Sequence, residues 1–324
     1  MAIGLAGAAG PVVADSSREG DRRRSSSGRR GIRWDGLRPY LFLAPFLITF
    51  LVFSVGPVLY SIYLSLFATP LIGPRKFVGL QNFINAFSDQ SFWSGVERVA
   101  LFGIIQVPLM LLIALFFAIV FDLELVRRGA GILRLIYFLP YAIPGVISAL
   151  MWGYLYEPRY SPFDTILTQL GLGNVNFVGG NIVLASIGNI VTWEYVGYNM
   201  IILYVVLRSS PRELIDAAVV DGAKLWDIVR YVKIPMARIG LFLTAILSII
   251  GTLQLFTEPE ILSSFSTAVN TSYTPNIYIY TVAFTNNNLN YAAALSVLVG
   301  VITVVATAVF LGLNRLRQRR AGIS

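Results

Sequence analysis

The residues with the most chemical potential are few and widely spaced. Glu194 is the one acid at the centre of an apolar run, NIVTWEYVGYNMII. An ionisable group inside a membrane is costly and rare, and it usually faces a cavity or a partner. Tyr198 lies four residues on and Gly197 three, so all three share one helical face. An acid beside a phenol can hold hydroxyl groups of a ligand through charge-assisted hydrogen bonds. The alternative is structural, with Glu194 bonded to another helix or to a second subunit. Gln106, Trp152 and Gln254 are further candidates for the same path. A tryptophan can stack on a flat ligand face, although the residue is also common at membrane interfaces.

A second group of reactive side chains is Glu213 to Pro235, ELIDAAVVDGAKLWDIVRYVKIP, a charged stretch between two very apolar ones. Outside these two places little chemistry is on offer. The chain has no Cys and no His, which removes disulfides, thiol redox chemistry, the usual zinc sites and the commonest general base. It has no clustered carboxylates and no nucleophile–base pair, so a membrane enzyme such as a glycosyltransferase gains no support. It also lacks a GxxxxGK[ST] phosphate loop. If ATP drives this protein, another chain must bind it.

The elements that must position these residues are membrane helices. Of 324 residues, 56% are hydrophobic and 13% charged, where soluble domains carry about 25% charged residues. Six apolar runs are long enough to span a bilayer, at about 40–67, 98–121, 132–156, 182–207, 239–257 and 291–313. Backbone groups cannot stay unpaired in lipid, so the expected fold class is all-α and polytopic, with six transmembrane helices. Pro140 and Pro144 are expected to kink the third span, either for gating or as tolerated membrane prolines. No internal repeat relates the two halves.

The charge pattern orients the chain. With the N-terminus inside, 21 of the 25 basic residues fall on one side, and only Arg75, Lys76, Arg98 and Arg159 on the other. By the positive-inside rule both termini are cytoplasmic. The same rule accounts for the net charge of +8 without nucleic acid. Residues 1–38, rich in Ser, Gly and Arg, read as a disordered cytoplasmic tail, and 317–324 as a second tail. The outer loops are about 68–97, 157–181 and 258–290.

The charged stretch then lies in the cytoplasmic loop 209–236, between spans four and five. Ser210, Pro211 and Glu213 form a capping box with proline at the first helical position. Asp221-Gly222 ends that helix, with glycine free to take positive φ. A second helix is expected from Ala223 to about Val232, with Leu225, Ile228, Val229 and Val232 on one face and Pro235 as its stop. Such a helix–turn–helix fits two surfaces equally well, the lipid headgroups or a soluble protein.

The spacing Asp216-Ala217-Ala218, Gly222, Val232-Lys233-Ile234-Pro235 resembles the signature loop of binding-protein-dependent ABC importer permeases, with Asp for the usual Glu and Val for the usual Ile. The longer phrase LRSSPRELIDAAVVDGAKLWDIVRYVKIP resembles the carbohydrate branch, the maltose/glycerol-phosphate-like permeases. So do LAPFLITFLVFSVGPVLYSIYLSLF, FVGLQNFINAF, IYFLPYAIPGVISALMWGYLY and PNIYIYTVAFTNNNLNYAAALSVL. The likeness extends over most of 38–316, and residues 39–316 are taken as the permease domain. It departs after span five, where EPEILSSFSTAVNTSY replaces a Gly-Gly-Pro turn.

The resemblance implies a sugar importer subunit of a prokaryotic cytoplasmic membrane. It implies a second homologous permease subunit, two cytoplasmic ATPase subunits that carry ATP and Mg, and an extracytoplasmic solute-binding protein. No cofactor is implied on this chain. Glu213, Asp216 and Lys224 become candidates for polar ATPase contacts, Ala217, Ala218 and Gly222 for close packing, and Pro235 for the end of the motif. Glu194 and Tyr198 become candidates for sugar hydroxyls. The competing reading is a secondary transporter driven by an ion gradient.

Overall fold

The computed structural model describes residues 38–70, 73–123, 129–171, 175–180, 182–209, 211 and 213–320. The Ser210 cap, Arg127, Arg128, Arg212, the tail up to residue 37 and residues 321–324 lie outside them. The chain divides into two compact units, residues 1–53 and 54–324.

In the first unit, α1 (Arg38–Phe50) contains Pro45. The Thr49 hydroxyl donates to the Pro45 carbonyl, and Phe42, Phe46 and Phe53 are exposed. An apolar helix with its large side chains outside suits lipid.

The second unit begins with α2 (Gly56–Ser65) and a short antiparallel pair, β1 (Phe67–Ala68) with β2 (Lys76–Phe77). Then come α3 (Gln81–Phe87) and α4 (Gln90–Asp122), the latter starting eight residues before the expected span. Next are α5 (Ala130–Phe138), α6 (Gly145–Tyr156), α7 (Pro162–Gln169) and α8 (Val183–Arg208). The loop between the fourth and fifth spans supplies α9 (Glu213–Val220), α10 (Leu225–Asp227) and α11 (Ile234–Met236). The remainder is α12 (Arg238–Leu253), α13 (Thr257–Leu262), α14 (Pro275–Tyr280) and α15 (Leu289–Arg320).

Among the described residues four helices are long and apolar enough to cross a membrane, spanning Phe42–Ser65, Gln90–Asp122, Val183–Arg208 and Leu289–Leu316, and counting each of two bent pairs as one span brings the number up to six. The third expected span is not a kinked rod. It bends by 96° between Ala130–Ala142 and Gly145–Tyr156. Ile143 precedes Pro144 and is extended at ψ 132°, as the proline ring demands of its predecessor. The freed Pro144 carbonyl accepts from the Ile147 and Ser148 N–H groups and so starts α6.

The fifth span also departs from expectation. Pro235 does not stop the second loop helix. It sits inside α11, after the π-helical turns Ile228–Lys233, and the chain bends by 57° at Ala237. In an α-helix the Tyr231 carbonyl would lack the proline N–H, and wider π turns accommodate the ring. The outer loop after α12 is likewise more ordered than expected, since it forms α13 and α14.

The core of this unit is α4 packed along α8 and α12. Gly197 shows how close the contact is. A Cβ there would lie 1.8 Å from the Tyr137 carbonyl oxygen, so α8 meets the backbone of α5 directly.

Candidate functional site

Two places gather most of the predicted site residues, one following the C-terminal end of α8 and the other along its middle. The first is the loop hairpin. α9 ends in the paired bonds of a Schellman motif: Gly222 N–H donates to the Val219 carbonyl at 3.0 Å, and Ala223 N–H to the Ala218 carbonyl at 2.9 Å. Gly222 takes φ +82°, as the Asp-Gly pair predicts. The second arm starts with a side-chain cap, because Lys224 N–H donates to the Asp227 carboxylate at 3.0 Å.

The two arms are buried very differently. No residue of α9 is buried. Glu213, Asp216, Ala217, Gly222 and Lys224 are exposed, while Ala218 and Pro235 are half-buried. Val220 is 86% and Trp226 67% exposed. By contrast, Val229 and Met236 of the second arm pack on a cluster that includes Ala118, Phe121, Leu207 and Ala237.

One contact here was not legible in the sequence. Lys233 forms an ion pair with Asp122, each side chain 3% exposed. Asp122 ends α4, where the helix dipole opposes a negative charge, so it needs a cation. In the sequence Lys233 counts only as a loop charge, and the acid lies 111 positions away.

The second place is a cavity of about 360 Å³ between α8, α12 and α13. Tyr198 and Gln254 line it together with Tyr141, Tyr195, Asn199 and Glu258. Tyr141 stacks on Tyr198 with centroids 4.6 Å apart. Gln254 is the C-cap of α12 rather than a mid-span residue. Glu194 is buried at 4% exposure, and its carboxyl group lies against the Ser148 hydroxyl and the Glu258 carboxyl.

The other two candidates lie elsewhere. Gln106 donates to the Gly188 carbonyl at 2.8 Å and also bonds Thr192, which ties α4 to α8. Trp152 stacks on Phe163 in a separate aromatic cluster. Glu258 was missed because the fifth span was read as ending at 257, which left this acid to the outer loop. Its burial beside Glu194 comes from the packing of α13 on α6 and α8, which no local pattern announces.

A third polar centre braces the start of α4 against α14 and α15. Asp89 caps α4, accepting from the Ser91 and Phe92 N–H groups at 3.0 and 3.3 Å. Its other oxygen accepts from the Tyr278 and Tyr291 hydroxyls, each at 2.7 Å. Burial alone would raise this carboxyl, but the four donors outweigh it and hold the group below its ordinary value. Tyr278 moves the other way, to about 12, through burial and the Asp89 charge.

Bent membrane helices around a polar cavity, with a capped hairpin between the fourth and fifth spans, define a helical membrane permease. The chain belongs to the family described as binding-protein-dependent transport system inner membrane component, which matches residues 110–322. It is 30% identical to the trehalose/maltose transport system permease protein MalF of Thermococcus litoralis, over 86% of this chain and 94% of that one. It is 31% identical to the sn-glycerol-3-phosphate transport system permease protein UgpA of Escherichia coli (strain 536), over 84% and 92%. A solved bacterial ABC transporter that imports the acidic polysaccharide alginate shares the fold, with a TM-score of 0.76 at 20% identity over 87% of this chain and 98% of that one. The ion-gradient alternative finds no support in this family.

Proposed function

We propose that this chain is the transmembrane subunit of an ATP-driven importer that carries a sugar into the cytoplasm. The observation that carries the proposal is the exposed, doubly capped hairpin with the family spacing from Asp216 to Pro235. The relatives at 30–31% identity support carbohydrate or polyol cargo, since they are named for trehalose/maltose and for sn-glycerol-3-phosphate.

In this reading the chain pairs with a second permease subunit, and two ATPase subunits carrying ATP and Mg bind beneath. An external binding protein delivers substrate, and both termini are cytoplasmic. α9 seats in a groove of the ATPase through Glu213, Asp216 and Lys224, with Ala217, Ala218 and Gly222 at the points of closest approach. The second arm, anchored on α4 and α8, carries ATPase movement to the membrane helices, a two-position element biased by ATP. Tyr198 and Gln254 contact the sugar in the cavity, backed by Glu194. Gln106 and Trp152 support the helices around it.

The test is sugar uptake by the assembled complex in proteoliposomes. Uptake is expected to need ATP hydrolysis and to persist when the proton gradient is collapsed. Uptake that follows the gradient without the ATPase overturns the proposal.

A further inference from the structure

The cavity wall holds an acid and an unpartnered acceptor. Asn199 Oδ1 is buried there without a hydrogen-bond partner; Glu194 Oε1, outside the lining, is likewise buried without one. Asn199 is 2% exposed and lines the cavity; its amide N–H groups are already spent on the Tyr195 carbonyl and the Met110 sulfur. Glu258, 7% exposed, also lines the cavity and adds a second carboxyl group beside Glu194. Orphaned buried acceptors call for donors.

No base is at hand to supply them. None of the described residues lining the cavity is basic. Arg98 donates to the Tyr273 carbonyl at 2.7 Å and lies over that ring. Arg134 bonds the Ala130 carbonyl and lies over Tyr204, as does Arg208. Lys233 is paired with Asp122. Arg238 is exposed at the opposite end of α12 from Gln254.

We infer that the cavity admits donor-rich, non-anionic saccharides, neutral or amine-bearing, and excludes phosphorylated sugars and uronates. Hydroxyl or ammonium hydrogens satisfy Asn199 Oδ1 and the Glu258 carboxyl, and the exposed faces of Tyr141 and Tyr198 pack on the ring. An anionic ligand brings acceptors to Asn199 Oδ1 and a like charge to the acidic Glu258. This inference rests on the carbohydrate reading above.

The experiment is equilibrium dialysis of the assembled complex, held by a non-hydrolysable ATP analogue and without the binding protein, so that selection by that protein does not intervene. The probes are radiolabelled maltose, a glucosamine disaccharide, a uronate disaccharide and glycerol 3-phosphate. Wild type is expected to bind the first two at least about tenfold more tightly than the last two. Glu258→Gln is expected to narrow that gap. Gln254→Lys, at an exposed capping position, is expected to reverse it. Wild type binding the anionic probes as tightly as maltose overturns the inference while leaving the sugar reading intact. Unchanged ratios in both variants do the same. Binding of none of the four probes overturns both.

Discussion

The hairpin and the cavity use their side chains in opposite ways. In the hairpin the large apolar groups, Val220 and Trp226, stand outside, and an ion pair, Asp122 with Lys233, is sealed inside. In the cavity aromatic rings and helices enclose the space, and Asn199 Oδ1 is left there without a partner. Each region is incomplete in a different currency. The hairpin lacks apolar cover, which a protein surface can provide. The cavity leaves the Asn199 Oδ1 acceptor without a donor, which a polyhydroxylated solute can provide. Burial alone would not separate the two, since both hold charged residues.

The largest expected effect breaks the sealed part of the hairpin. Lys233→Met leaves Asp122 buried beside the negative end of α4 with no counter-charge. A buried pair broken on one side costs about 3–5 kcal/mol. Thermal unfolding in detergent should show a clear loss, and Asp122→Asn combined with Lys233→Met should recover most of it. Equal stability of the single variant and wild type would remove the ion pair from the account.

A middle effect sharpens the exposed part. A Cβ at Gly222 would meet nothing within 4 Å in this chain. Gly222→Ala and Gly222→Trp therefore share the same positive-φ strain, about 1–2 kcal/mol. Only the Trp ring adds bulk beyond Cβ. Gly222→Trp is expected to insert normally but to lose ATPase capture and transport, while Gly222→Ala keeps most of both. If the two variants behave alike, strain is the cause and the docking role of the turn is wrong.

The smallest effect is on the Asp89 brace, which belongs to neither region. Asp89 is held below its ordinary value in the folded protein. Its contribution is therefore complete above the unfolded carboxylate range, about pH 4. It is lost as pH falls through the lower folded value. An acid titration of thermal stability should show Asp89→Asn less sensitive than wild type below that pH. Parallel curves would remove Asp89 from the acid response.

How much of this was legible depended on the range of the interactions involved. The turn at Asp221-Gly222 was readable because a Schellman end is set by three or four neighbouring residues and by glycine's access to positive φ. The third span was readable as apolar but not as bent. Pro140 and Pro144 indicated strain, yet the 96° turn depends on Ile143 becoming extended and on α6 restarting against α13. Pro235 misled for a similar reason. A proline ends an α-helix by local rules, but π turns upstream let this chain continue to Ala237. Tyr198, singled out for sharing a face with Glu194, and Gln254, a weaker candidate, do line one cavity. Gln106 and Trp152, candidates for the same path, do not line it, because face and depth are set by packing.

By itself the sequence determined the apolar lengths, the charge asymmetry, the hairpin spacing and the scarcity of reactive side chains. These are properties of composition and short separation, and the bilayer enforces them residue by residue. The tertiary structure alone decided that Asp122 meets Lys233, that Glu258 joins Glu194, and that Asn199 turns an unpartnered oxygen toward a cavity. Those pairings join residues tens to more than a hundred positions apart. Their geometry follows from how α4, α6, α8, α12 and α13 pack, and hydrophobic periodicity constrains which faces are buried without specifying which faces meet.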